Sequence, residues 1–103
     1  MTDYPIRLPG LAISESALEA IAQRAAEQVD GVQVAERRVR RGRDLAVEVV
    51  ADEIAATLSL DVRYGVVLPD AAERARRGVA AALASMTGLR VRSVDVVVAA
   101  VTA

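Results

Sequence analysis

The chain has 103 residues, 53% of them apolar, and a formal net charge of −1. That is enough for one domain with a usable core, it is not a disordered composition, and no whole-molecule field draws it to nucleic acid or a membrane surface. With no Cys and no His, disulfides, thiolate metal sites, imidazole catalysis and the common His-based zinc sites are excluded.

Residues 1–10 carry two prolines and read as an irregular lead-in, with the domain proper over 11–103. Leu11–Ile13 suits a short strand. A helix is predicted from Ser14, whose hydroxyl caps the orphan amides while Ile13 and Leu18 form a hydrophobic staple. Leu18, Ile21, Ala22, Ala25 and Val29 make its apolar stripe. Asp30-Gly31 closes it, with glycine suited to the left-handed position after the cap.

Val32–Val39 is a strand candidate with a polar far end. Arg40–Asp44 is a turn and Leu45–Val50 a second strand. After a turn at Asp52-Glu53, Ala56, Leu58, Leu60, Val62 and Tyr64 alternate strictly with polar residues. That pattern belongs to a sheet with one wet face and helices on the other.

Pro69 opens a second helix at a position that needs no N–H. Asp70 and Glu73 have capping-box spacing, and Ala72, Ala75, Val79, Ala82, Leu83 and Met86 form its core stripe. Gly88 stops the helix and Leu89 seals it. In the final strand Val94, Val96 and Val98 change parity relative to Leu89 and Val91, which predicts a bulge near Arg92-Ser93. The fold class is α+β: a single domain of order (β)-α-β-β-β-α-β, with a mixed sheet, its last strand parallel to the one before, and two helices on one face.

The core has no Phe or Trp, and Tyr4 and Tyr64 are the only aromatics. Packing must come from Val, Leu, Ile and Ala, and Ala removes less apolar surface than larger side chains do. A modest monomer stability is expected, and an assembly that buries more surface would offset it. The N-terminus lacks a basic, apolar signal architecture, and no apolar run approaches the roughly 20 residues that span a bilayer. The expectation is a cytoplasmic chain.

Several motifs stand in a fixed order: Ile13-Ser14 before the first helix, Val29-Asp30-Gly31-Val32 after it, and Tyr64-Gly65-Val66 ahead of Pro69. Met86-Thr87-Gly88-Leu89 and Val94-Asp95-Val96-Val97-Val98 follow. In this order and separation they resemble the alkaline shock protein family, over roughly Leu11 to Val101. The resemblance departs at Asp95, where the family carries Asn, and in a long, arginine-rich hairpin over 37–53. It implies a non-enzymatic protein of the cell-envelope stress response, without cofactor. Some members are held at the inner face of the membrane by a small membrane-anchored protein and some self-associate, so the resemblance implies action through protein partners. Tyr64, Gly65, Pro69, Gly88 and Leu89 are its structural signature.

Arg37, Arg38, Arg40, Arg41 and Arg43 form a candidate anion or partner patch, flanked only by Glu36 and Asp44. Against an RNA or lipid role, no aromatic is interleaved for base stacking, and charged hairpins also serve to block edge-to-edge pairing. Arg74, Arg76 and Arg77 pair more naturally with Asp70 and Glu73 at helical spacing. Asp44, Asp52 and Glu53 are the best acidic group but have no nucleophile or other ligand type beside them. Tyr64, in phase with Leu60 and Val62, reads as core packing. Val97 and Val101, out of phase with Val96, are expected on the surface as a docking edge. The second reading is a KH-like or ribosome-binding-factor-like nucleic-acid module using the arginine hairpin. The absence of a GxxG loop weighs against it.

Overall fold

The computed structural model describes residues 4–37, 39 and 42–103. Its elements in chain order are β1 (Ile6–Leu8), β2 (Leu11–Ile13), α1 (Glu15–Glu27), β3 (Val32–Val34), β4 (Leu45–Val50), β5 (Glu53–Arg63), α2 (Leu68–Thr87) and β6 (Arg90–Thr102). The fold is α+β, as the hydrophobic periods require.

Strand β5 organises the molecule. Along one edge it pairs antiparallel with β4, from Leu45↔Leu58 to Val50↔Glu53, and then with β3, from Val32↔Val62 to Val34↔Leu60. Along the other edge it pairs in parallel with β6 over its whole length. At the handover between β3 and β4, Ser59 does both jobs: its carbonyl accepts from Ala35 N at 2.8 Å and its N–H donates to Asp44 O at 3.0 Å. The two short strands therefore lie end to end along one side of β5, so a single strand satisfies three others.

The alternation along β5 decides which face is buried. Ile54, Ala56, Leu58, Leu60 and Val62 are all at most 2% exposed. They meet Leu18, Ala22 and Ala26 of α1 and Ala71, Ala75, Val79 and Leu83 of α2 in one cluster. Both helices thus cover one face, and the other carries Ala46, Glu48, Thr57 and Asp95 to solvent. No buried polar or charged residue interrupts the core among the described residues. Burial of such an aliphatic side chain contributes about 1.5–3 kcal/mol.

The local devices follow from the residues. Ser14 caps α1, its Oγ accepting from Ala17 N at 3.1 Å, and Leu18 of the staple is fully buried. Gly31 has φ +80°, where an L side chain is strained, and a Cβ there would also crowd Val66 Cγ2 at 3.0 Å, so the turn leaving α1 favours glycine. Gly88 caps α2 in the left-handed region at φ +74° and donates to Ala84 O. The bulge predicted near Arg92-Ser93 is present: Ile54↔Val91 is followed by Ala55↔Ser93, leaving Arg92 as the extra residue.

Six expectations are corrected. Residues 6–8 are not irregular: β1 pairs with β2 from Ile6↔Ile13 to Leu8↔Leu11, and Ile6 joins the core at 6% exposure. The Pro9-Gly10 pair is the turn, so a boundary at residue 10 cuts a hairpin. The strand after α1 ends at Val34 rather than Val39, because the backbone of Ala35 and Asp44 turns inward to each other. In α1 it is Ala26 that is buried, with Ala25 and Val29 at the core's margin. The Asp70–Glu73 capping box does not form, since α2 begins at Leu68 and Val67 caps it without a side-chain bond. Asp70 already lies inside the first turn.

The buried row of α2 is Ala71, Ala75, Val79 and Leu83, with Ala72 and Ala82 half-buried and Met86 66% exposed. Met86 belongs instead to the row Arg74–Gly78–Ala82–Met86, which faces α1 and solvent. Tyr64, expected in the core, is 79% exposed. Strand β5 ends at Arg63, and the chain turns through Gly65 at φ +97°. The alternation that buries Leu60 and Val62 no longer applies one residue beyond the strand. Only the backbone of Tyr64 is engaged, donating to Thr102 O at 2.6 Å.

Candidate interaction surfaces

The arginine hairpin is in part a structural clasp. Arg37 N donates to Gly42 O at 2.9 Å, and Glu36 and Arg43 form a bridge. Arg37 Nη2 donates to Leu45 O at 3.4 Å and Arg43 Nη1 to Val34 O at 3.3 Å. Arg43 also lies 3.8 Å from Glu36 Oε1. These two guanidinium groups thus tie the hairpin to the ends of β3 and β4. Arg38, Arg40 and Arg41 lie outside the described residues. Beside the clasp is an open cleft of about 940 Å³, walled by Val34, Arg37, Arg43, Asp61 and Ala100.

The acidic candidates do not converge. Glu53 faces Arg90 at 3.8 Å, Asp44 N donates to Ala35 O, and no group of three metal-ligating side chains occurs among the described residues. Glu73 binds Arg76 and Arg77 at 2.6 and 2.8 Å, the pairing expected of that helix. Arg74 is not part of it.

The terminal strand is the longest element of the sheet and pairs only with β5 among the described residues. Its far edge is therefore open. Charge is confined to Arg90, Arg92 and Asp95, and the run Val96–Thr102 has none. Natural edge strands are normally blunted by charge, proline or brevity, and this half of β6 has none of the three. Val97 and Val101 are exposed, at 59% and 49%, but they do not form one patch. A second irregularity, at Ala99, separates Leu60↔Val98 from Asp61↔Ala100. It puts Val97 beside Ser59 on the wet face and Val101 beside the buried Val62 on the helix-facing row. What the two valines share is the open backbone edge between them.

The other signature residues have backbone roles. Pro69 sits in the first turn of α2, Gly65 and Gly88 have positive φ, and Leu89 packs on the core's margin.

Sequence reasoning missed one feature, a groove of about 740 Å³ between α1 and α2. Its floor includes Ile21 and Ala25 from α1 and Gly78 and Ala82 from α2, with Arg24 and Arg74 at its sides. The available signal was a glycine in mid-helix, at Gly78.

The profile of the alkaline shock protein 23 family, which has a cell envelope-related function, matches residues 7–103. Among solved structures, a triple-substituted variant of MamM CTD aligns at 26% identity and TM-score 0.56, covering 82% of this chain and 93% of that one. Two single-site variants of the same domain, in copper and nickel forms, align at 24% identity. Their TM-scores are 0.55 and 0.56, over 82% of this chain and 95% and 96% of theirs. The present chain has neither Cys nor His, the thiolate and imidazole donors that favour those metals. A search among curated proteins finds no significant match.

Proposed function

Because the chain belongs to the alkaline shock protein 23 family, with its cell envelope-related function, we propose that it is a non-enzymatic component of envelope homeostasis that works by protein–protein contact. It associates with further copies of itself and is held at the inner face of the membrane by a small membrane-anchored partner. No helix among the described residues is long and apolar enough to cross a membrane.

The observation that carries this reading is the uncharged open edge of β6. A strand with unpaired N–H and C=O groups on one side takes up another strand by main-chain hydrogen bonding, with side-chain pockets tuning the choice. In the hairpin, by contrast, two of the five guanidinium groups already donate to backbone carbonyls of the fold, and no aromatic is interleaved for base stacking.

The test is Val97→Lys. Val97 lies on the wet row, so the substitution leaves the core untouched while placing a charge on the edge. Self-association measured by sedimentation velocity, and recovery of the protein in the membrane fraction of its own cells, are both expected to fall, while the melting temperature at a dilution where both proteins are monomeric is unchanged. Wild-type levels of both in a folded variant overturn the reading.

A further inference from the structure

The α1–α2 groove is built in a way the fold does not require. Gly78 lies in the middle of the 20-residue helix α2, where glycine is about 1 kcal/mol less favourable than alanine. A Cβ at Gly78 would meet Ala25 O at 3.5 Å, an ordinary contact. Helix packing therefore leaves room for a methyl group that the chain does not have. The missing methyl gives depth to the groove, whose floor is the row Gly78–Ala82 facing Ile21 and Ala25.

The groove is also polarised. Its charged lining residues are Arg24 on one wall and Arg74 on the other. Both are exposed. Neither has a carboxylate within ion-pair distance among the described residues, while their neighbours Arg76 and Arg77 are both bound to Glu73. An apolar trough between two helices, with an uncommitted cation on each side, complements a third helix with an apolar ridge flanked by carboxylates. At its end Met86, 66% exposed, supplies the adaptable apolar contact common at such surfaces.

We propose that this groove is a docking site for an acidic amphipathic helix of a partner protein. The ridge of that helix enters over Gly78, and its glutamates or aspartates pair with Arg24 and Arg74. The site is separate from the β6 edge and does not rest on it.

The probe is a designed peptide of about four helical turns, with leucine and alanine on one face and glutamates on both flanks, and a counterpart with lysine flanks. Binding is followed by amide chemical shifts of the isotope-labelled protein. The glutamate peptide is expected to shift Ile21, Ala25, Gly78 and Met86. In the double variant Arg24→Glu, Arg74→Glu its affinity falls at least tenfold and the lysine peptide gains what it loses. Gly78→Leu blocks both peptides, and Val97→Lys affects neither. Melting curves of each variant establish that it is folded. The proposal is overturned if the two peptides bind the wild type alike, if neither binds, or if the shifts map to β6. It is equally overturned if the groove signals respond to protein concentration, which assigns it to a second copy, or to anionic vesicles in place of the peptide.

Discussion

Glu73 accepts from Arg76 Nε at 2.8 Å, from Arg76 Nη2 at 2.6 Å and from Arg77 Nε at 2.8 Å. The hydrogen bonds from Arg76, then those from Arg77, lower its carboxyl from the ordinary 4.5 to about 2. Folding therefore favours the ionised form: the contribution is complete above about pH 4.5 and is lost as pH falls toward about 2. The triad is solvent-exposed, so global melting should hardly register it. Local amide-exchange protection over residues 70–78 is the right measurement. It should weaken across that acid window in the wild type, while in Glu73→Gln it should be low throughout and flat with pH. Glu19 has the opposite sign: burial first, then the Glu15 charge, raises its pKa, so its ionised form is the one folding disfavours.

Individual residues were legible where the reason is local. Ser14, Gly31, Pro69 and Gly88 each answer a constraint set within a few residues, a cap, a positive φ or a missing N–H, and all act as the sequence implies. Tyr64 and Met86 were not legible, because each was assigned by extending a period past the point where a neighbouring element changes the environment. For Tyr64 the strand had ended; for Met86 the adjacent surface was α1 rather than the sheet.

Among the elements, the β4–β5 hairpin shows a mismatch between chain and backbone. Val50↔Glu53 closes a two-residue loop in which Ala51 and Asp52 have φ of 51° and 63°. Tight hairpins favour positive φ because it matches strand twist, and Asn-Gly is the sequence that adopts it without strain. Left-handed backbone is disfavoured by roughly 1–2 kcal/mol at an ordinary L-residue such as Ala51, and by less at Asp52, whose short polar side chain can bond locally. The double substitution A51N, D52G is expected to stabilise the protein by about 1 kcal/mol. That would raise the melting temperature by about 4–8 °C for a domain near this size, readable in a thermal scan with oligomeric state held fixed. The period-2 pattern of β5 locates the strand but gives no hint of this, since Ala51-Asp52 lacks the Asn-Gly pair that marks such a turn in a sequence.

Strand β6 carries the same lesson with a different outcome. Its first bulge was legible because valines on both sides of Arg92 change parity. The second, at Ala99, was hidden: Ala99, Ala100 and Val101 give no contrast between faces, so the switch in row left no mark in the sequence. The sequence period accordingly puts Val97 and Val101 on one edge, whereas the structure sets them on opposite faces.

At the scale of the molecule, everything converges on β5. Leu60 is fully buried, registered between Val34 on one side and Val98 on the other. Leu60→Ala is expected to lower the unfolding free energy by about 2–5 kcal/mol, a large share of the about 5–15 kcal/mol typical of a domain. Chemical denaturation would check it. On the self-association proposed above, the loss should shrink as protein concentration rises, because association adds to apparent stability by mass action. The aliphatic composition announced such a shallow core; which strand would stand at its centre was not readable, because pairing of β3 and β4 along one edge depends on contacts distant in sequence.

The parallel pairing of β5 with β6 also imposes an order in time. On a ribosome, β5 is complete when Arg63 has emerged, but its partner begins only at Arg90. At about 5–20 residues per second the nascent chain spends some seconds with one side of its central strand open. Arrival of β6 does not end that condition; it passes the vacancy outward, from β5 to the newcomer. A neighbouring nascent chain on the same message offers a strand of identical sequence at that moment, so the self-association proposed above is predicted to begin on the polysome rather than in the finished pool.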